Sequence, residues 1–419
     1  MIRKVIEYLR RKQNITIEDL VVEICSSNMY YKYINGTKNF SKKNLTLIKE
    51  RLGADELTKE EIDEYKKDID KVILKLMRYY SSSEEFDKDI LPLVDLDTQL
   101  LLNEDLFLSY SIVRMNYLQV KNEIDDLSIF IDLLSDFKES MNNTIKLFYL
   151  KIKSFVDAYR FKSIDDEVNE INETLGASFY NNNYGCFYMS QALNYVRKKQ
   201  RVNALNSIET SIQLFQRDLN LIGQVKAVNF KAGMLCEVDR YDEALELLLI
   251  NYDNTKKIKA EYEMFLSLSN IVCAFLGLKD IENAKKYCSI FVKRFNKLSS
   301  RKIAELIINN CIIGLVTNLE YYGLNTELNN ILSIIGNINS INHSIVKKVI
   351  TYNSIDIVDD KITYIESELL PSLLGKANFT YCKWLLDTCV RYYTEKRMYK
   401  KAVEFETDYL KEFKKYYFY

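Results

Sequence analysis

The feature that most constrains the fold is a 40-residue repeat between residues 188 and 288. Three segments align without gaps: 188–208 (YMSQALNYVRKKQRVNALNSI), 228–248 (VNFKAGMLCEVDRYDEALELL) and 268–288 (LSNIVCAFLGLKDIENAKKYC). Each places an alanine at the same point, at Ala204, Ala244 and Ala284. A period of this length is typical of solenoids in which each unit is a helix hairpin.

The alanine has a packing explanation. Where the second helix of a hairpin crosses the first, a small residue lets the backbones approach, and a large residue on the first helix fills the remaining space. The large residues are Tyr195, Leu235 and Phe275, and a fourth copy at 385–405 pairs Tyr393 with Ala402. One hairpin cannot bury its apolar face alone, so we predict that the copies stack into a right-handed helical solenoid over residues 101–419. The alternative is an irregular helical bundle.

Few residues in the chain break helices. Only 2 prolines and 11 glycines occur among 419 residues, and no two glycines are closer than nine positions, which predicts an all-α fold. This spacing excludes GxGxxG and P-loop motifs. The single histidine, His343, excludes histidine triads and HExxH zinc sites. We therefore expect no enzyme activity, catalytic residue, metal or cofactor.

The sequence predicts a cytoplasmic protein. Its start, MIRKVIEYLRRK, is too charged for a signal peptide. Its most apolar stretch, 303–319, is interrupted by Glu305, Asn309 and Asn310, which argues against a membrane span. Eight cysteines occur without a CxxC pair, and we expect them to be reduced thiols.

Residues 1–54 form a basic head on an acidic remainder. Their net charge is +6, against −7 for the rest of the chain, which suggests that a polyanion meets the head. Apolar spacing and the capping residues Thr16, Ser26 or Ser27, and Ser41 predict four short helices, the third ending at Asn35-Gly36.

Four short helices with a tight turn between the second and third fit a helix-turn-helix DNA-binding domain. The third helix would enter the major groove, the start of the second would hold a phosphate, and the loop lysines would contact the flanking backbone. The predicted DNA-binding residues are Thr16, Ser27, Asn28, Tyr30, Tyr31, Lys32, Lys38, Lys42 and Lys43. The alternative is a plain helical cap domain.

Residues 55–100 are predicted to be a helical connector. Thr58 and Glu61 form a capping box, and a heptad-like seam follows at Ile62, Tyr65, Ile69, Val72, Leu76 and Tyr79. The seam could pair two subunits, or it could pack within its own chain. Residues 81–93 (SSSEEFDKDILPL) read as a hinge.

The head and the repeats each resemble a known pattern. Thr16-x-x-Asp19-Leu20, Ser27 and Ile34-Asn35-Gly36 resemble the lambda-repressor-like helix-turn-helix, although the interval to Asn35-Gly36 is one residue short and Cys25 stands near the usual turn glycine. Tyr241-Asp-Glu-Ala244-Leu-Glu-Leu is similar to the tetratricopeptide repeat (TPR), with a period longer than 34.

The TPR resemblance implies a groove for an extended peptide, lined by the first helix of each pair. Asparagine amides suit such a ligand because each can satisfy one backbone N–H and one C=O. The predicted peptide-binding residues are Asn194, Arg197, Lys226, Asn229, Asn270 and Asn310, with Arg197 or Lys226 taking a carboxylate.

The combination of a helix-turn-helix head and a TPR body resembles the RRNPPA family of Gram-positive peptide-pheromone regulators, and in particular a clostridial branch that controls sporulation and toxin genes. The resemblance implies a cytoplasmic homodimer that binds operator double-stranded DNA and senses a short signalling peptide in quorum sensing. Some relatives also bind response regulators. The alternative function is therefore a TPR adaptor that inhibits a response regulator or another signalling protein without reading DNA.

Overall fold

A computed structural model describes residues 2–79, 83–121, 123–160, 162–177, 184–336, 344–374 and 379–413. Every regular element in these ranges is a helix, which confirms the predicted all-α class. The chain divides into two compact units, one formed by Met1–Arg197 with Gln213–Asn220 and the other by Lys198–Ile212 with Leu221–Tyr419. The predicted segments 1–54 and 55–100 both lie inside the first unit.

The first unit contains twelve of the described α-helices and the end of a thirteenth. They are α1 (Ile2–Lys12), α2 (Ile17–Val21), α3 (Ser27–Ile34), α4 (Lys42–Arg51), α5 (Lys59–Arg78), α6 (Ser83–Val94), α7 (Asp97–Leu101), α8 (Phe107–Lys121), α9 (Ile124–Ser135), α10 (Asn143–Tyr159), α11 (Asp165–Ala177), α12 (Gly185–Arg197) and α13 (Arg201–Arg217), whose first part belongs to the second unit, with a 3₁₀ turn at Lys138–Ser140.

The second unit continues with helices of the same kind. They are α14 (Leu221–Cys236), α15 (Tyr241–Lys257), α16 (Glu261–Gly277), α17 (Ile281–Phe295), α18 (Arg301–Ile307), α19 (Ile313–Tyr321), α20 (Asn325–Gly336), α21 (Ser344–Ser354), α22 (Val358–Tyr364), α23 (Leu370–Leu373), α24 (Phe379–Glu395) and α25 (Tyr399–Phe413), with π-helical segments at Ile308–Ile312 and Ile365–Leu369.

The four predicted head helices are present as α1 to α4. Thr16, Ser26 and Ser41 each accept a hydrogen bond from a backbone N–H three residues ahead, which satisfies one free donor of the following helix. Helix α3 ends at Asn35, and Gly36 adopts a left-handed φ of 77°. The local capping signals therefore determine where these helices begin and end.

The structure of the connector favours one of the two alternatives for the seam and contradicts the predicted hinge. Helix α5 begins with the predicted capping box of Thr58 and Glu61, but it packs on α8 and α12 of its own unit. Ile69 and Val72 are fully buried there, which favours the alternative that the seam packs within its own chain, while Ile62, Tyr65, Leu76 and Tyr79 are half-buried. Much of the predicted hinge is also helical, because α6 runs from Ser83 to Val94 and includes Pro92.

The second unit contains the predicted stack of hairpins and is a TPR-like solenoid fold. Helices α14 to α17 pack in sequence, and α14 also contacts α16. Ala244 and Ala284 are fully buried, as is Ala204, and Ala402 is nearly so. Leu235, Phe275 and Tyr393 are buried in the same core cluster as Ala244, Ala284 and Ala402, in agreement with the packing explanation, whereas Tyr195 is only half-buried.

A regular turn produces the 40-residue period. A left-handed residue ends a helix every 20 positions, at Lys199, Leu219, Asp239, Lys259 and Lys279. After the last four of these residues, the backbone N–H of the next residue bonds to the carbonyl five residues back, as from Asp280 to Phe275 at 2.9 Å. This is the hydrogen bond of a Schellman motif, although none of the five residues is glycine.

The period is lost beyond α17. An unbroken period would place the left-handed residue that ends the next first helix at position 319, but it lies at Gly323. The reason is that α18, the π segment Ile308–Ile312 and α19 form one long helical stretch. A π segment adds residues to a turn and rotates all that follows. Asn310 was placed on the peptide groove by assuming an unbroken period, and that assumption fails here.

Candidate functional site

The third head helix presents one exposed polar face. Asn28, Tyr31 and Lys32 lie three and four positions apart, so they share one side of α3, and all three are exposed. The ring of Tyr31 is 52% accessible. An exposed polar face of a helix is the kind of surface that can reach base edges in a major groove.

Tyr30 does not belong to that face. Its side chain is only 1% exposed, and its hydroxyl donates to Glu7 Oε2 at 2.9 Å. The prediction that Tyr30 contacts DNA is therefore wrong, because the residue is part of the core that joins α3 to α1. Ser27 is the first residue of α3 and half-buried, and Ser26 provides the cap.

The start of α2 is poorly suited to a phosphate. The Thr16 hydroxyl accepts from the Asp19 backbone N–H at 3.1 Å and donates to Asp19 Oδ2 at 2.6 Å. Glu18 and Asp19 place two carboxylates in the first turn, and these would repel an anion. Thr16 therefore acts as a helix cap.

Four lysines on or near α3 differ from the other basic residues of the head in their exposure and their lack of ion pairs. Lys32, Lys38, Lys42 and Lys43 are exposed and have no ion pair within the described part of the chain. Six other basic side chains of the head have internal partners: Arg10 and Arg11 contact Glu7, Lys12 contacts Asp97, Lys4 contacts Asp136, Arg3 bonds to Asn39, and Arg51 donates to backbone carbonyls at the end of α2. The remaining one, Lys49, is half-buried. The four lysines thus form a positive surface, here called the lysine surface, next to the exposed face of α3.

On α12, two predicted peptide-binding residues contact each other. The Asn194 side chain is buried, and its amide donates to Ser154 Oγ at 3.3 Å. Arg197 Nη1 donates to Asn194 Oδ1 at 3.3 Å. Burial lowers the pKa of Arg197, and no carboxylate among the described residues pairs with it. A half-buried guanidinium without a counter-charge is a site for an anionic group of a ligand.

In the second unit, Asn229 is part of a buried polar network. Its Nδ2 donates to the Glu263 carbonyl at 3.0 Å, and its Oδ1 accepts from Asn251 Nδ2 at 3.0 Å and Ser267 Oγ at 2.8 Å. Asn229 is only 4% exposed. The prediction that it holds a peptide backbone is wrong, because its amide is already committed to α15 and α16.

Lys226 has a counter-charge that Arg197 lacks. Its Nζ lies 3.8 Å from Glu263 Oε1. Burial lowers the pKa of Lys226 and raises the pKa of Glu263, and the attraction between the two charges opposes both shifts. Of the two proposed carboxylate receptors, Arg197 is therefore the better candidate.

Asn270 keeps its amide available. It is half-buried on α16, and its side chain makes no hydrogen bond to any residue that the structure describes. Its Nδ2 lies 3.9 Å from where a Cβ on Gly233 of α14 would stand. The glycine leaves open space beside the amide, so a ligand backbone can approach it. For Asn310 the structure describes the π-helical backbone and not the side chain.

Sequence reasoning missed one neighbour of Asn270 on the same helix. Cys273 lies one turn further along α16, and its Sγ accepts from Asn318 Nδ2 at 3.4 Å. Burial raises the pKa of Cys273 to about 12, so it is a neutral thiol at physiological pH. None of the eight cysteines, all of which lie in the described ranges, forms a disulfide. Within the described ranges no group of acidic, cysteine or histidine side chains could hold a metal, and no helix is long and apolar enough to cross a bilayer.

Together, the exposed α3 face and the TPR-like repeats define an all-α protein with a compact helical head and a repeat body. No family model matches the sequence, and no curated protein is significantly similar to it. Solved structures do share the fold. The chain is similar to the quorum sensor NprR from B. thuringiensis in its apo form, at 14% identity and a TM-score of 0.59, with 84% of this chain and 99% of NprR covered.

Two further structures are similar over the same extent. NprR in complex with its cognate peptide NprX matches at 13% identity and a TM-score of 0.56, covering 85% of this chain and 99% of that one. A Rap protein complexed with competence and sporulation factor matches at 13% identity and a TM-score of 0.57, covering 84% and 98%. NprR and Rap belong to the RRNPPA family, so the resemblance drawn from the sequence is confirmed at the level of the fold.

Proposed function

We propose that this chain is a peptide-responsive transcription regulator that binds operator DNA through its head and a short signalling peptide through its repeats. The observation that carries the proposal is the lysine surface beside the exposed face of α3, which leaves Lys32, Lys38, Lys42 and Lys43 uncompensated. Asn28, Tyr31 and Lys32 would reach base edges, and the other lysines would contact phosphates and release counterions.

Each unit offers one candidate contact for a peptide, and the two contacts are proposed separately. Arg197 in the first unit would take a carboxylate of the peptide, since it is half-buried and has no acidic partner in the described chain. Asn270 in the second unit would hold one backbone amide group, since its own amide is free of internal hydrogen bonds. Two proteins with this fold have been solved with bound partners of this kind, NprR with its cognate peptide NprX and Rap with competence and sporulation factor.

A homodimer would pair through α25 rather than through α5. Tyr399, Val403 and Leu410 form an exposed apolar stripe on α25, with Val403 63% accessible. The charged residues of α25 before Val403 are basic and most of the charged residues after it are acidic. Two antiparallel copies of the helix would therefore place opposite charges together. Changing Val403 to Asp should then give a monomer in analytical ultracentrifugation.

The test is selection of fragments from the protein's own genome by the full chain, with and without a library of short peptides. The control variant carries Ala at Lys32, Lys38, Lys42 and Lys43. Enrichment of particular promoter fragments by the native chain alone supports the proposal. No enrichment under any peptide condition would support the adaptor function instead, and response regulators would then be the partners to test.

A further inference from the structure

The head of this protein rests on its own body through a small polar contact. Lys12 Nζ lies 2.9 Å from Asp97 Oδ2 at the start of α7. Gln13 Nε2 donates to Thr98 Oγ1 at 3.3 Å, and Lys4 forms an ion pair with Asp136, just beyond α9. All of these residues belong to the same compact unit.

One aromatic pair lies at the centre of the contact. The ring of Tyr8 packs edge-to-face on Phe130 of α9, with centroids 5.3 Å apart. Tyr8 is 8% exposed, yet its hydroxyl is buried without a hydrogen-bond partner. A buried hydroxyl without a hydrogen bond disfavours this contact between the head and the body, because water would bond to the hydroxyl if the head moved away.

Asp97 connects the head to the body interior. Its Oδ1 accepts from Tyr110 at 2.8 Å, and its Oδ2 faces both Lys12 at 2.9 Å and Arg114 Nε at 3.4 Å. Arg114 is 6% exposed, and two of its guanidinium nitrogens are buried without a hydrogen bond. If Lys12 moves away, Asp97 therefore still has Tyr110 and Arg114 as partners within the body.

We propose that the head, residues 1–54, docks reversibly on α7 and α9, and that Asp97 is the residue that positions it. Ion pairs at Lys4 and Lys12 hold the docked state, and the unpartnered Tyr8 hydroxyl opposes it. The lysine surface lies outside this contact, so a docked head still presents α3 to solvent. The contact thus determines whether the DNA-reading helix has a fixed or a free orientation relative to the body.

The role of this contact rests on the proposed function, but its existence is tested without DNA or peptide. The measurement is hydrogen exchange of the backbone amides in α7 and α9 of the full chain against sodium chloride. Salt screens partly exposed ion pairs, so we expect roughly two- to fivefold faster exchange at high salt. The Lys4→Met/Lys12→Met variant should exchange at that faster rate already at low salt.

Two matched variants sharpen the test. Arg11→Met removes a head charge that is 73% exposed and pairs only with Glu7, so it should exchange like the native chain. Tyr8→Phe removes only the unpartnered hydroxyl, so it should exchange at the native rate or more slowly. Equal exchange in the native chain and Lys4→Met/Lys12→Met, or an equal acceleration by Arg11→Met, would overturn the proposal.

Discussion

Asn251 Nδ2 donates to Asn229 Oδ1 at 3.0 Å, between two helices of the second unit, and both side chains are buried. The same Asn229 oxygen accepts from Ser267. This relationship separates two asparagines that look alike in the sequence. Asn229 joins three helices, whereas Asn270 has its amide free.

Replacing Asn229 by alanine should therefore affect stability, whereas replacing Asn270 by alanine should affect peptide binding. Asn229→Ala removes one acceptor each from Asn251 and Ser267, which keep the carbonyls of Val225 and Glu263, and should lower the free energy of unfolding by about 1–3 kcal/mol. Asn270→Ala should leave stability unchanged and weaken peptide binding. Urea denaturation and fluorescence polarisation with a peptide selected from a random library measure the two effects. A stability loss at Asn270 equal to that at Asn229 would contradict the assignment.

Arg197 should select peptides that carry a carboxylate. We expect heptapeptides selected on the native chain to be enriched in Asp, Glu or a free carboxyl terminus, and Arg197→Gln to lose that enrichment. Lys226→Gln is the matched control, because Lys226 already has Glu263 as its counter-charge at 3.8 Å. Sequencing the selected pools gives the readout. Loss of the enrichment in Lys226→Gln alone would place the carboxylate on the other cation.

The head should lose stability in acid because of Glu7. Burial alone would raise its pKa, but hydrogen bonds from Arg10, Arg11 and Tyr30 lower it to about 2, against an ordinary 4.5. A depressed pKa stabilises the folded state above pH 4.5, and this stabilisation is lost as the pH falls from 4.5 towards 2.

After allowance for solvent screening, the loss should be roughly 1–2 kcal/mol. Glu7→Gln should remove the pH dependence in this window, while Glu50→Gln, an exposed glutamate without an ion pair in the described chain, should retain it. Thermal unfolding between pH 5 and pH 2.5 gives the comparison. Identical pH profiles for the native chain and Glu7→Gln would contradict the prediction.

Two helical glycines should respond oppositely to alanine. A Cβ at Gly277 would lie 2.4 Å from the Tyr241 ring, so Gly277→Ala should destabilise the second unit by about 1–3 kcal/mol. At Gly314 nothing lies within 4 Å of the new Cβ, so Gly314→Ala should stabilise by about 0.5–1 kcal/mol. Denaturant titration distinguishes them, and two changes of the same sign would be incompatible with this packing.

The sequence predicted the helices and hairpins well because their signals are local. Caps such as Ser41, the stop at Asn35-Gly36 and the alanines of the repeat each act within a turn or one hairpin. It failed where a side chain's direction depends on distant helices. Tyr30 and Tyr31 are neighbours in the chain, but only the position of Glu7 on α1 makes the first a buried donor.

The same limit applied to the peptide site. Asn229 and Asn270 occupy adjacent positions of the repeat, the second and the third of the aligned segments, and only the structure shows which of the two bonds to α15 and α16. The π segment at Ile308–Ile312 was also invisible, because a shift in helical register leaves the residue types unchanged. By contrast, the four exposed lysines were identified from charge alone, since long exposed side chains depend least on packing.

The most direct test of the central claim is DNA affinity against salt for the full chain. We predict that log K falls steeply with log salt for the native protein. Alanine at Lys32, Lys38, Lys42 and Lys43 should reduce the slope by up to about 3.6 per chain. The matched control carries alanine at four exposed lysines elsewhere, Lys66, Lys67, Lys285 and Lys297, and should keep the native slope. Equal slopes for all three proteins would show that the head does not read DNA through this surface.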